Sequence, residues 1–449
     1  MAVDRSALPR PGAETPFVFP ELRRRRLSNG IEVWTAEHRD VPLVSALVLI
    51  RAGAAFDPGE RPGLAALTGD LLDEGCGDLD ALGLHDKLGR LGAQLETEVG
   101  ADATLLGLTT LARFADEALV LLAEMVTRPR FEDGDFERVR DLRINRLLQL
   151  REMPPAVAER TFLRLLYGDH PYGHLPIGTE ESLRAMNSGE PVLFHRRMYD
   201  PSRTCVIAAG DASHEELLTL VERAFAPWGP TDPHAYPDPA ALPVVTTDSA
   251  SDRMVVVPRP GSAQSELRIG HIGVARSSPD YHALVTLNLV LGGQFVSRIN
   301  TNLRERRGYT YGARTTFDFR RGPGPFVLHA SVQPDKTSDA IREAIAEMEA
   351  IRRERPVTEE ELALGRAAVT RGYPRNFETA EQVTRAIAQL ALYDLPDDYF
   401  TRFVPTVMSL TPQDLTRAAN EHIHPERLVT VVVGDPERAD LASRAGSVS

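Results

Sequence analysis

Residues Leu291 to Gly312 read LGGQFVSRINTNLRERRGYTYG. An apolar helix stops at Gly292-Gly293, and a second helix over Ser297 to Arg307 closes at Gly308, a natural left-handed C′ residue. An alternating strand, YGARTTFDF, then opens at Tyr311. The spacing sets Arg304 and Tyr311 seven residues apart across a helix-to-strand turn, with both side chains expected to face one neighbouring cavity. A guanidinium there can fork onto a carbonyl, and a phenol can donate to a growing oxyanion. As a bare Arg-x6-Tyr the pattern says little, because basic residues in a last turn already favour the helix dipole and Tyr is common in strands. Its surroundings, LGG, SR, LRE and RGxxY, make it specific.

Working outward, the chain repeats itself. PSRTCVIAAGD from Pro201 to Asp211 and PERLVTVVVGD from Pro425 to Asp435 share Pro, Arg and Gly-Asp at one spacing, each an apolar strand entered from a turn. Both halves open with a strand, VSALVLI from Val44 and ELRIGHIGV from Glu266, followed by an apolar helix that stops at glycine. Between them six prolines fall in the stretch Pro227 to Pro243, where neither a ladder nor a helix interior can form. A duplicated pair of α/β domains follows: 20–226, a Pro-rich linker 227–250, and 251–440. Leu91 to Leu111 reads as a hairpin. Helices are expected at Gly63 to Glu74, Ala115 to Val126, Phe136 to Leu150, after Pro154-Pro155, and at Asp339 to Arg353, Thr358 to Arg371 and Ala380 to Leu392. Long helical excursions between strands suit an α+β layer fold better than a doubly wound sheet.

The 449 residues exceed one hydrophobic core, and 42% hydrophobic content is ample for burial. A net charge of −13 and pI near 5.5 argue against a nucleic-acid partner. Arg23 to Arg26 is the one basic cluster and reads as a solvated strand flank. Cys76 and Cys205 make no disulfide framework. The N-terminal stretch has no apolar segment before its prolines, and no apolar run has the length of a membrane span, so the expected location is cytoplasmic as written, or periplasmic had a leader been removed.

The Leu291 to Gly312 stretch, together with the L-x-N-G opening at Leu27 to Gly30, resembles the M16 (pitrilysin and processing-peptidase) zinc metallopeptidases over nearly the whole chain. The resemblance implies two homologous M16-type (LuxS/MPP-like) α/β domains in tandem, forming a clamshell with a partner chain, and it assigns Arg304 and Tyr311 to gripping a peptide. Zinc in that family is held by an HxxEH helix, and no HxxEH occurs here. The matching segment is Gly63 to Asp70, where Ala66 and Asp70 replace the histidines and Gly69 the general base. Two imidazoles at i and i+4 present adjacent nitrogens to a metal, whereas Ala and Gly offer no ligand. The family spacing from Asp70 to the third ligand, a Glu, reaches Arg146, a cation. Asp70, Asp73 and Glu74 read as a solvated face. His170 with His174, broken by Pro171 and Gly173, and His422 with His424 make poor metal pairs. Where family strands carry an Asn-Ala pair beside the zinc, this chain reads Gln94 to Glu98.

No phosphate loop, G-x-S-x-G elbow or Cys/His pairing offers another enzyme class. The resemblance therefore implies a chain without its own cofactor, probed best as the non-zinc subunit of a two-chain peptidase, with zinc in a homologous partner and Arg304 and Tyr311 donated to a peptide. The alternatives are a structural homologue, like those retained as core subunits of a respiratory complex, and a homodimeric peptide-binding protein.

Overall fold

The computed structural model describes residues 17–229 and 253–441; most of the linker 227–250 lies outside the described residues. The first half runs β1 (Leu22–Arg26), β2 (Glu32–Glu37), β3 (Leu43–Ile50), α1 (Leu64–Asp70), the short pair β4 (Gly75–Cys76) and β5 (Leu79–Asp80), α2 (Ala81–Arg90), β6 (Gln94–Val99), β7 (Thr104–Leu111), α3 (Ala115–Thr127), α4 (Asp133–Arg151), α5 (Pro154–Tyr167), α6 (Glu180–Ala185), α7 (Gly189–Met198), β8 (Thr204–Gly210) and α8 (His214–Phe225). The second runs β9 (Arg253–Pro258), β10 (Ser265–Ile272), α9 (Tyr281–Asn288), α10 (Arg298–Asn300), β11 (Thr310–Phe317), β12 (Pro325–Val332), α11 (Thr337–Ala350), α12 (Glu359–Thr370), α13 (Ala380–Tyr393), α14 (Tyr399–Ser409), α15 (Pro412–His422) and β13 (Val429–Gly434).

One sheet has the order β1-β2-β8-β3-β7-β6, the other β11-β12-β10-β13-β9. Without β1, and read in opposite directions, the two are the same sheet. β2 pairs parallel with β8 as β9 does with β13, and the remaining pairs are antiparallel. The sequence repeat supplies equivalent interior strands: β8 and β13 each follow a Pro-led turn and each is buried along its whole length.

Uninterrupted burial is the mark of a strand covered on both faces. One face of the first sheet packs on α1, α3 and α8 through residues such as Leu67, Leu122 and Val221. The opposite face, with Trp34, Leu47, Leu49 and Ile207, is covered by helices of the second half: Val383, Ile387 and Leu390 of α13 and Phe400 and Phe403 of α14. The second sheet repeats the arrangement in reverse. Its own helices cover one face, and Phe162, Leu163 and Leu166 of α5 cover Val327, Val429, Val431 and Val433 on the other. Each half thus completes the other's core. Local chemistry places the exchanged helices: α5 starts with Pro154 at its first turn and ends at Gly168 with φ 56°, and α13 starts at Thr379, whose hydroxyl accepts the Gln382 N–H at 3.1 Å.

Ion pairs fix the helix layer. Asp280, just before α9, takes Arg417 at 2.6 Å and His422 at 2.8 Å, both from α15. Arg417 above all, with His422 adding to it, holds the Asp280 carboxyl down at about 2.

Two outcomes follow from this packing. Ile387→Ala, at a fully buried contact between halves, should cost about 2–5 kcal/mol in urea unfolding, with one shared transition for both halves. Asp280 titrates lower in the folded chain than in the unfolded one, so its contribution is complete above about pH 4 and is lost as pH falls toward 2. Asp280→Asn should therefore lower stability at pH 7 by about 1–2 kcal/mol and flatten the loss between pH 4 and 2, read by thermal melts across pH.

Candidate functional site

Helix α1 is anchored at its start by Asp57, whose carboxylate accepts the Gly63 and Ala65 N–H groups at 2.6 and 2.7 Å and meets His174 Nε2 at 3.0 Å. Burial pushes the Asp57 carboxyl up, and His174 opposes that. Gly63, at φ 99°, lies so close to Gly178 that a Cβ would come within 2.8 Å of the Gly178 Cα, so backbone meets backbone there. The rest of the helix faces the core. Ala66 is buried, and a Cβ on Gly69 would come within 2.7 Å of Val99 Cγ2 on β6. The place where a residue at 69 would project is filled by Val99.

Asp70 pairs with Arg143 of α4, and Arg143 Nη2 also donates to the Pro176 carbonyl at 2.9 Å. Family spacing pointed to Arg146 as the third position, and the residue that meets Asp70 lies one helical turn earlier, at Arg143. Arg146 is exposed and bonds Gln149 at 3.2 Å, while Arg143 continues the inward stripe of Phe136, Val139 and Leu147. That stripe is legible in the sequence as a periodic pattern. The carboxylates after α1 are not simply a solvated face either. Glu74 pairs with Arg138, and Asp73 is partly buried, with burial and then Glu74 pushing its carboxyl up.

The histidine pairs separate. His170 Nδ1 accepts the Tyr172 N–H at 3.0 Å, while His174 serves Asp57. His424 bonds Glu426 at 3.1 Å, whereas His422 joins Asp280 and Glu421 in a close group. Arg417 bonds both carboxylates of that group and supplies its cation.

The Arg304 and Tyr311 segment is built differently from a plain helix and strand. Only Arg298–Asn300 is α-helical, and Thr301–Arg306 continues as a wider π turn. Both asparagines there are buried: Asn300 donates to the Phe295 carbonyl at 2.6 Å and accepts the Ala313 N–H at 3.0 Å, and Asn302 donates to Glu347 at 2.8 Å. Between Thr310 and Ala313 the ladder with β12 shifts register, and Thr310 Oγ1 bonds the Ser331 carbonyl in the gap. Such a bulge re-aims a side chain. Tyr311 is 92% exposed as a result, at the edge of a cavity of about 510 Å³ that Phe295, Glu266, Arg268, Arg314 and His329 also line.

Arg304 is placed otherwise than expected. Its guanidinium stacks on the Phe295 ring, 3.8 Å from the centroid, with Glu305 at 3.4 Å and a buried Nη1 that has no hydrogen bond. It meets the Tyr311 cavity through Phe295, and no hydrogen bond joins the two residues. Behind that cavity lies a network the sequence reading missed. Arg268 donates to Glu159 of α5 at 2.8 Å, to Glu266 at 2.6 Å and to the Pro155 carbonyl at 3.1 Å. Burial lowers His329 to about 3, with Arg268 and Arg314 adding to it, so His329 is a neutral ring. Its signal was Glu-x-Arg at alternate positions of the apolar strand β10. Ala66, Gly69, Asp70 and Arg143 do not line the Tyr311 cavity.

With this geometry in hand, comparison with known proteins is direct. A family model described as "Insulinase (Peptidase family M16)" matches residues 33–180, and one described as "Peptidase M16 inactive domain" matches 193–369. The chain belongs to the M16 peptidase family. Among M16 relatives, an uncharacterized zinc protease of Mycobacterium tuberculosis is 26% identical over 81% of this chain and 82% of its own length. A protein of Helicobacter pylori named a non-peptidase homolog is 23% identical over 64% of each. The crystal structure of a peptidase M16 inactive domain from Pseudomonas fluorescens superposes with a TM-score of 0.85 at 23% identity, covering 92% of this chain and 98% of that one. Two M16-type domains in tandem, in an α+β fold, are therefore the architecture of this chain. No helix among the described residues is long and apolar enough to cross a membrane.

Asp70 of α1 and Arg143 of α4 form an ion pair between the two helices. A double-mutant cycle of Asp70→Ala and Arg143→Ala should return a coupling of about 1–3 kcal/mol in chemical denaturation, because each single change strands a half-buried charge. Zinc added in excess and then removed by desalting should leave substoichiometric metal by atomic absorption.

Proposed function

We propose that this chain is the non-zinc subunit of a two-chain M16 peptidase, binding peptide through its second half and presenting Tyr311 to a partner's active site. The observation that carries the reading is the exposed phenol at a bulge beside a cavity: an aromatic ring held 92% in solvent by a register shift has no folding role to account for it. The ion pair of Asp70 with Arg143, and the closure of the Gly69 position by Val99, support the view that any metal is brought by another chain.

In such a complex the zinc-bearing homologue would supply a polarised water. This chain's part is positional and electrostatic. The Tyr311 hydroxyl donates a hydrogen bond to the peptide carbonyl oxygen as negative charge gathers on it. Arg304, released from Phe295 or acting across its ring, forks onto a neighbouring carbonyl. Arg314 and the Arg268 network line the wall behind. A second reading, a structural or peptide-binding homologue acting alone or as a homodimer, is favoured by the same stacking of Arg304, which turns the guanidinium onto a ring instead of toward the phenol.

The test is cleavage of a quenched fluorescent peptide library by the zinc-bearing M16 homologue from the same genome, with and without this chain. Activity is expected only in the mixture. Tyr311→Phe should leave the fold and the complex intact and lower kcat by about 10²–10³. An unchanged rate with Tyr311→Phe would remove the phenol from the mechanism, and no complex on mixing would favour the second reading.

A further inference from the structure

A second site lies away from Tyr311, where the two halves meet. Arg276 follows β10, its N–H donating to the Arg320 carbonyl at 2.8 Å, and the residue is only 4% exposed. Among the described residues no carboxylate lies within ion-pairing distance of its guanidinium, whose polar neighbour is the Tyr399 hydroxyl. Aromatic faces surround it instead: Tyr281 at 3.5 Å, Tyr399 at 4.8 Å and Tyr393 at 5.8 Å from the ring centroids. The Tyr399 hydroxyl is buried beside Arg276 and Tyr281, and burial pushes it up while Arg276 opposes that.

Burying a charge without a partner is costly, and cation–π contacts recover only part of that cost. The other cations nearby are neutralised. Arg385 is bound by Glu96, Glu98 and Glu381, and Arg320 by Asp318. The carboxylate on the same wall, Asp102, is spent on the Tyr172 hydroxyl and the Arg321 N–H. His282, lowered to about 4 by burial and then by Arg276, is neutral. Among the described residues, Arg276 is therefore the cation at this place without a carboxylate partner.

The guanidinium lines two cavities at once. One, of about 600 Å³, runs between the halves past Leu105, Phe317 and Tyr393. The other, of about 420 Å³, is walled by Tyr373, Phe377, Tyr399, Phe400 and Phe403. Both also include Tyr281, Arg385 and Gln389. An aromatic chamber with a fork-shaped donor in its wall that lacks a carboxylate partner among the described residues suits a ligand with an apolar or aromatic body ending in a carboxylate.

We propose that Arg276 and its tyrosines form a receptor for such a carboxylate, independent of the Tyr311 cavity. The carboxylate accepts two parallel N–H bonds from Arg276, and the aromatic body lies against Phe377 and Phe400. A peptide C-terminus and a free aryl carboxylic acid share this chemistry.

Isothermal titration of the full chain with N-acetyl-Ala-Phe, its C-terminal amide and 3-phenylpropionate separates the sources. The free peptide acid should bind about 10–100-fold more tightly than the amide. Comparable binding of 3-phenylpropionate assigns the site to small acids, and binding of the peptide alone assigns it to chain termini; either supports the receptor. Arg276→Met should abolish the preference for acid over amide while keeping the circular dichroism of the parent. Equal binding of acid and amide by the parent chain, or no heat from either acid at millimolar concentration, would overturn the proposal without any variant having to fold. Because Tyr311→Phe should leave these titrations unchanged, failure here is separable from failure of the peptidase reading.

Discussion

The exchange of helices between the halves is the constraint on which the rest depends. A sheet whose interior strand is buried from end to end needs cover on both faces. Here each half supplies only one cover for its own sheet. The second comes from across the molecule, α5 on the Val429 to Val433 face and α13 with α14 on the Trp34, Leu49 and Ile207 face. Two large apolar interfaces therefore set the relation of the halves, and the linker need not. That rigidity holds Arg276 and its tyrosines against a wall made by the β6–β7 turn of the other half.

Duplication explains the framework and divergence explains the chemistry. β3 with α1 and β10 with α9 are equivalent units on equivalent sheets. In the first, α1 buries Ala66 and Gly69 against the sheet, and its Asp70 is paired with Arg143. In the second, the bulge after Thr310 and the π turn before Gly308 hold backbone away from regular geometry. Departures of this kind are costly and collect at functional sites.

Much was legible beforehand because it is local. Periodicity placed α3, α4, α12 and α13 and the β6–β7 hairpin, since amphipathic and alternating patterns are imprinted on adjacent residues. The paired Gly-Asp strands located the two interior strands. Arg304 and Tyr311 were found by their setting. The partner of Asp70 was not read beforehand: Arg143 lies on the buried stripe through Phe136 and Val139, and only the packing of α4 on α1 brings the two charges together. The Arg268 network also escaped, because Glu159 and Glu266 lie on different halves and meet only through α5.

By itself, then, the sequence determined an α+β chain of two related halves, the family it resembles, the absence of an HxxEH helix and the segment carrying Arg304 and Tyr311. These are matters of residue identity and short-range periodicity. Tertiary structure alone decided that the halves share their cores, that Arg143 meets Asp70, that Arg304 rests on Phe295 while Tyr311 turns to solvent, and that Arg276 is buried among tyrosines. Each of those depends on residues brought together from distant parts of the chain, where packing and charge compensation choose the partner and local pattern carries no record of the choice.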